Sequence, residues 1–96
     1  MPTLRIEHPI TDYQTWRGAF DSFAPAREKA GVQQHRILLP VDDQQYVTVD
    51  LDFATIEAAQ RFRAFLETTV WSDPDRAPAL AGTPRTRILT PPDSDR

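Results

Sequence analysis

Between residues 46 and 53 the chain alternates strictly. Val47, Val49, Leu51 and Phe53 fall on one parity, and Tyr46, Thr48, Asp50 and Asp52 on the other. Successive side chains of a strand point to opposite faces, so this segment predicts a strand in a sheet with one covered face and one polar face. Three weaker versions of the pattern flank it. Leu4, Ile6 and His8 alternate with Thr3, Arg5 and Glu7, until Pro9, which has no donor for a ladder. Val32 to Leu39 predicts a second strand, with His35, Ile37 and Leu39 on one face and Gln34, Arg36 and Leu38 on the other. Pro40-Val41-Asp42-Asp43-Gln44 is the turn that joins it to the alternating segment. Pro84 to Thr90 predicts the last strand, with Thr86, Ile88 and Thr90 opposed to Arg85, Arg87 and Leu89.

Two stretches carry the helical period instead. Tyr13, Trp16, Phe20, Phe23 and Arg27 recur at helical spacing, and the first four make an aromatic stripe. Thr11 and Gln14 fit a capping box at its start, and Gly31 is a natural stop. Pro25 lies inside the stripe, so a kink near Phe23–Pro25 or two helical pieces are expected. Thr55 caps a second helix expected to run to about Val70, with Ile56, Ala59, Phe62, Leu66 and Val70 as its stripe. Ala58 and Phe65 widen that stripe. Glu57–Arg61 and Arg63–Glu67 stand at the spacing of surface ion pairs. Residues 74–82 are expected to hold one short helical turn, and residues 91–96 to form a disordered tail rich in proline and charge.

The order strand, helix, strand, strand, helix, strand predicts an α+β fold. With right-handed crossovers the two β-α-β units interleave into the ferredoxin-like plan, an antiparallel sheet of order 4-1-3-2 with both helices on one face. The covered face takes Leu4, Ile6, Ile37, Leu39, Val47, Val49, Leu51, Phe53 and Ile88. Arg5 or Arg87 is placed to pair with Asp50 or Asp52 on the other face, which is either solvated or a polar interface between two sheets. At 96 residues the chain is expected to be one domain, residues 1–90, and a domain of this size gains stability by association.

Composition removes several function classes. The chain has no cysteine, which excludes disulfides, thiolate metal sites and a cysteine nucleophile. Its net charge of −3 opposes binding to a phosphate backbone, and Asp50 and Asp52 occupy the sheet face on which an RNA-recognition domain needs aromatic and basic groups. No stretch approaches membrane-spanning length and no signal-peptide pattern follows Met1, so a cytoplasmic location is expected. Ten of the eleven basic residues are arginine, a habit of high-GC bacterial genomes.

Several segments resemble the dimeric α/β-barrel superfamily, in particular small bacterial members related in fold to antibiotic-biosynthesis-type monooxygenases. They are Ile6-Glu7-His8-Pro9-Ile10-Thr11-Asp12-Tyr13 with Trp16, Ala30-Gly31-Val32, Val49-Asp50-Leu51-Asp52-Phe53, Phe62-Arg63-Ala64-Phe65-Leu66, Val70-Trp71, Ala77-Pro78-Ala79-Leu80 and Gly82-Thr83-Pro84. The resemblance spans about Thr3 to Thr90. It implies a homodimer whose two sheets face each other, and a ligand site between sheet and helices. The superfamily includes cofactor-less monooxygenases of polyketide pathways, muconolactone isomerases and haem-degrading enzymes. No haem-ligand or oxygenase motif maps onto this chain residue by residue, and no cofactor is expected.

His8 and His35 are the only histidines, and both are expected on the helix-covered face. With strand three between them and four residues of offset they lie too far apart to share a metal. His8 is the candidate general base, because an imidazole titrates near working pH and because it lies beside the start of the first helix. Tyr13, Trp16, Phe20 and Trp71 are the candidate ligand-binding residues, a cleft that suits a flat aromatic or polyketide-like molecule. The plainer alternative makes these aromatics core and His8 a satisfied histidine at its edge. Asp50-Leu51-Asp52 presents two carboxylates, too few oxygens for a typical hard-cation site, and no metal is expected. Phosphate-loop, nucleophile-elbow and zinc-helix motifs are absent from the sequence. Two functions remain in play, an enzyme or binder of a small molecule and a non-catalytic homodimeric interaction module. A regulatory amino-acid-binding domain of similar topology is a third, although it usually has glycine where this chain has Pro9-Ile10-Thr11.

Overall fold

A computed structural model describes residues 1–92. Its elements run β1 (Thr3–Pro9), α1 (Tyr13–Ser22), α2 (Ala24–Ala30), β2 (Gln34–Leu38), β3 (Tyr46–Asp52), α3 (Ile56–Phe65), a π-helical turn (Leu66–Val70) and β4 (Arg85–Leu89). The sheet has the order β2-β3-β1-β4 with every neighbouring pair antiparallel. That is the order and the ferredoxin-like α+β topology which the alternation of periods predicts.

Register sorts the side chains as the sequence implies. Leu4, Ile6 and His8 of β1 stand opposite Leu51, Val49 and Val47 of β3, and all six are buried under the helices. Phe53, Ala59 and Phe62 complete the centre of the core, and the Phe53 and Phe62 rings lie 5.9 Å apart. On the open face Arg5 reaches Asp50 through two parallel hydrogen bonds, Nε to Oδ1 at 2.9 Å and Nη2 to Oδ2 at 3.0 Å. Arg36 approaches the same carboxylate at 3.8 Å. Thr3 donates to Asp52 at 2.6 Å and Tyr46 to Glu7 at 2.7 Å, so this face is a laced polar surface.

The first helical stretch is two helices, as Pro25 requires. It sits in the first turn of α2, where its missing N–H costs nothing. Gly31 caps α2 at φ 91°, a conformation that side chains with a Cβ resist, and the Val32 N–H folds back to the carbonyl of Arg27 at 3.0 Å.

Several sequence expectations are corrected. The cap of α1 is Asp12, not Thr11; its Oδ2 accepts from both the backbone N–H and the hydroxyl of Thr15 at 2.9 Å, which a shorter hydroxyl one residue earlier cannot do. Thr55 does cap α3, but the last five residues of that stretch form a π turn. Ile56, the first residue of α3, is exposed. Neither Glu57–Arg61 nor Arg63–Glu67 closes as an ion pair among the described residues. Residues 74–82 make turns without a helix, and Asp73 organises them by accepting from the N–H groups of Asp75, Arg76 and Ala77. β2 is shorter than expected, starting at Gln34. Of the expected tail, Pro91 and Pro92 carry no regular structure, and residues 93–96 lie outside the described residues.

Candidate functional site

The side of the sheet covered by helices is not sealed. A cleft opens between β1, β3, α1, α2, the π turn and the 76–80 segment. The cavity volume open to water is about 80 Å³, which makes the cleft a narrow slot rather than a wide chamber. Its walls are mainly aromatic and aliphatic, with His8, Arg27 and Arg76 as the ionisable groups.

His8 lies at the end of β1 with only 4% of its surface exposed. Its Nδ1 stands 2.9 Å from the carbonyl oxygen of Pro9. A carbonyl can only accept, so Nδ1 carries the proton and Nε2 keeps its lone pair. Among the described residues no protein group bonds Nε2, the atom is not sealed in protein, and His8 lines the cleft. Burial pushes the pKa of His8 below its usual 6.5, against a smaller opposing effect of the Pro9 hydrogen bond. At neutral pH the ring is uncharged and offers one acceptor, or base, to whatever occupies the slot.

Trp16, Phe20 and Trp71 line the cleft, as the sequence stripe suggests. Trp16 and Phe20 stack with centroids 5.1 Å apart, and Tyr13 stacks on the far side of Trp16 at 5.9 Å. Tyr13 itself does not reach the lining; its hydroxyl accepts from Arg17 at 3.2 Å. It stands behind the wall that Trp16 and Phe20 form. Trp71 is brought in by the π turn, whose wider ring is closed by the Trp71 N–H on the Leu66 carbonyl at 2.8 Å. Such turns inside α-helices often mark functional sites. His35 shares the covered face but lies at its exposed edge, against the edge of Phe20 at 5.3 Å. By register it is four residues from His8 along β3, roughly 13 Å at the usual strand rise. No group of three His, Cys, Asp or Glu side chains among the described residues could hold a metal ion.

The cleft residue passed over in the sequence reading is Arg27. It is the fifth member of the stripe Tyr13, Trp16, Phe20, Phe23, Arg27, so the signal is present in the spacing. Only 8% of its surface is exposed. Its guanidinium carbon sits 3.6 Å from the centroid of Phe20, and Nη1 donates to the carbonyl of that same residue. The break between α1 and α2 gives that carbonyl a position where a side chain can reach it. Phe23, Phe65 and residues Arg76 to Leu80 also line the cleft. The 76–80 segment is pinned over the end of β1, with Thr11 N–H donating to Ala79 O at 2.9 Å and Ala81 N–H to Pro9 O at 3.2 Å. Gly82 lies against Pro9 so closely that a Cβ would come within 3.2 Å of the ring.

No protein-family model and no curated protein matches the chain. Solved structures do. A protein of Nitrosomonas europaea named as a candidate antibiotic biosynthesis monooxygenase aligns with a TM-score of 0.66 at 15% identity, covering 92% of this chain and 86% of that one. A protein of Agrobacterium tumefaciens aligns at 0.65 and 10% identity over 99% and 97% of the two chains. A dimeric ferredoxin-like protein from an uncultured marine organism aligns at 0.64 and 12% identity over 95% and 96%. The chain therefore has the ferredoxin-like fold, and in that fold it is similar to an antibiotic-biosynthesis-monooxygenase-like protein and to dimeric ferredoxin-like proteins.

Proposed function

We propose that this protein is a homodimer that binds a small, flat, aromatic or polyketide-like molecule in the cleft between sheet and helices. The observation that carries the reading is His8. A buried, neutral imidazole with its second nitrogen free, set in an aromatic slot, is ready to accept a hydrogen bond or a proton from a ligand. Trp16, Phe20 and Trp71 supply flat surfaces for rings. The dimer is supported by the likeness to a dimeric ferredoxin-like protein and by the open face, where Leu38 and Leu89 are exposed around the Arg5–Asp50 network. Transformation of the ligand would begin with His8 taking a proton from a ring hydroxyl or an acidic C–H.

A second reading, a non-catalytic homodimeric interaction module, is favoured by one observation: the Tyr13–Trp16–Phe20 stack is continuous with the core. Native mass spectrometry of the purified protein separates the two. A dimer carrying additional small-molecule mass, lost in His8→Ala without loss of folded dimer, is the expected result. A ligand-free dimer in which His8→Ala only lowers stability favours the module. A monomer overturns the dimer altogether.

A further inference from the structure

Arg27 is a buried charged side chain that lines the cleft. Among the described residues no carboxylate lies within ion-pair distance of it, and none lines the cleft. Glu28, next to it in sequence, does not pair with it, and Asp21, whose charge reaches it from farther off, is held by Arg17 at 3.0 Å. Arg76, the other cation of the lining, is half exposed and paired with Asp73 at 3.5 Å. A guanidinium has five N–H donors in a fixed fork, and among the described residues only Nη1 of Arg27 has a protein partner. Its unbonded nitrogens are not sealed in protein, and the side chain lines the slot. Buried charges without partners are rare because they are costly, and they persist where a ligand supplies the missing charge.

We propose that Arg27 anchors an anionic ligand, and that the natural occupant of the cleft is a planar aromatic carboxylate. This rests on the reading of the cleft as a ligand site and adds the chemical class. A carboxylate matches the guanidinium fork bidentately. Stacking of the guanidinium on Phe20 at 3.6 Å holds the fork in one plane, so little freedom is lost on binding. The far end of the ligand is read by His8. Phe20, on which Arg27 stacks, touches His35 opposite Leu51, whereas His8 stands opposite Val47, so the Phe20 end and the His8 end of the cleft are four residues, roughly 13 Å, apart along β3. Two fused rings fit that interval, with a carboxylate toward Arg27 and a hydroxyl donating to Nε2 of His8.

The test is isothermal titration calorimetry on the wild-type protein at pH 8. The probes are a hydroxynaphthoate with its two substituents at opposite ends of the rings and the matching neutral hydroxynaphthamide. The carboxylate is expected to bind at least about tenfold tighter than the amide, the scale of a charge-assisted pair. Arg27→Met is expected to erase that preference while leaving amide affinity within about twofold, and Arg27→Lys to retain part of it. Circular dichroism confirms that each variant is folded. Should Arg27→Met not fold, the wild-type preference and its reduction in Arg27→Lys decide the matter. Equal affinity of wild type for both probes overturns the anionic ligand but leaves the aromatic cleft standing. Failure of both probes to bind overturns both.

Discussion

Asp50 and Arg27 are buried to nearly the same extent, 7% and 8% exposed, on opposite faces of one sheet, and the protein treats them oppositely. Asp50 is held by both donors of the Arg5 fork and approached by Arg36. The hydrogen bonds from Arg5 hold its carboxyl below the usual carboxylate range. Arg27 has a ring beneath it, one backbone carbonyl and, among the described residues, no acid within ion-pair distance, and burial lowers its affinity for its own proton against a smaller opposing effect of Asp21. Buried charge in a protein is informative through its partner, and the partner that Arg27 lacks in direct contact is what the proposed ligand would supply.

The contrast can be broken first on stability. Leu51 and Asp50 are neighbours in β3 that point to opposite faces. Leu51→Ala is expected to cost about 2–5 kcal/mol in urea denaturation, since Leu51 is fully buried. Asp50→Asn is expected to cost only about 1 kcal/mol, because Arg5, at 43% side-chain exposure, can turn to water when its partner is neutralised. An equal loss in both would mean that the ion network, not the apolar layer, carries the sheet.

Acid should then separate the faces. Asp50 has a folded pKa below its ordinary 3.8, so its contribution is complete above that value and disappears as pH falls through the lower folded value. His8 has a folded pKa below 6.5, so the unfolded chain takes up the proton first. Its stabilising effect is present above 6.5 and declines as pH falls toward the folded value. Denaturation midpoints from pH 8 to 5 should decrease in wild type and flatten in His8→Gln, while Asp50→Asn changes only the slope below about pH 4. A wild-type slope unchanged in His8→Gln would show that the ring is not held neutral by the fold. The smallest effect is expected at Arg27. Arg27→Met should leave stability within about 1 kcal/mol, the loss of stacking on Phe20 being offset by removal of a buried charge. A loss of 3 kcal/mol or more would make Arg27 a structural pin.

The fold was legible because its two periods do not overlap. Parity placed every sheet residue on its observed face, from Leu4 to Ile88, and Pro25 foretold the break between α1 and α2. The end of the second helical stretch was not legible, since Leu66–Val70 suits an α or a π ring equally by composition and the choice is made by packing around Trp71. The site was half legible. His8, Trp16, Phe20 and Trp71 do meet, because each follows from a face or a helix stripe. The wall from Arg76 to Leu80 could not be foreseen, as turns place side chains without a period. Arg27 was visible as the stripe's fifth position but read as the polar end of an apolar row. What distinguishes it, the lack of a carboxylate within ion-pair distance among the described residues, is a property of space and not of spacing.

The π turn at the end of α3 is, in terms of length, an α-helical turn with one residue too many. An α-helix advances 100° about its axis per residue. Removing one residue between Leu66 and Val70 would restore the tighter ring, in which about four residues cover the turn that five now cover. The wall that Leu66, Val70 and Trp71 give the cleft would then be drawn with one residue fewer, while β1 to β3, which precede the turn in the chain, would stand as they are. Chains of this fold that differ by a single insertion here would thus keep one architecture and own different slots.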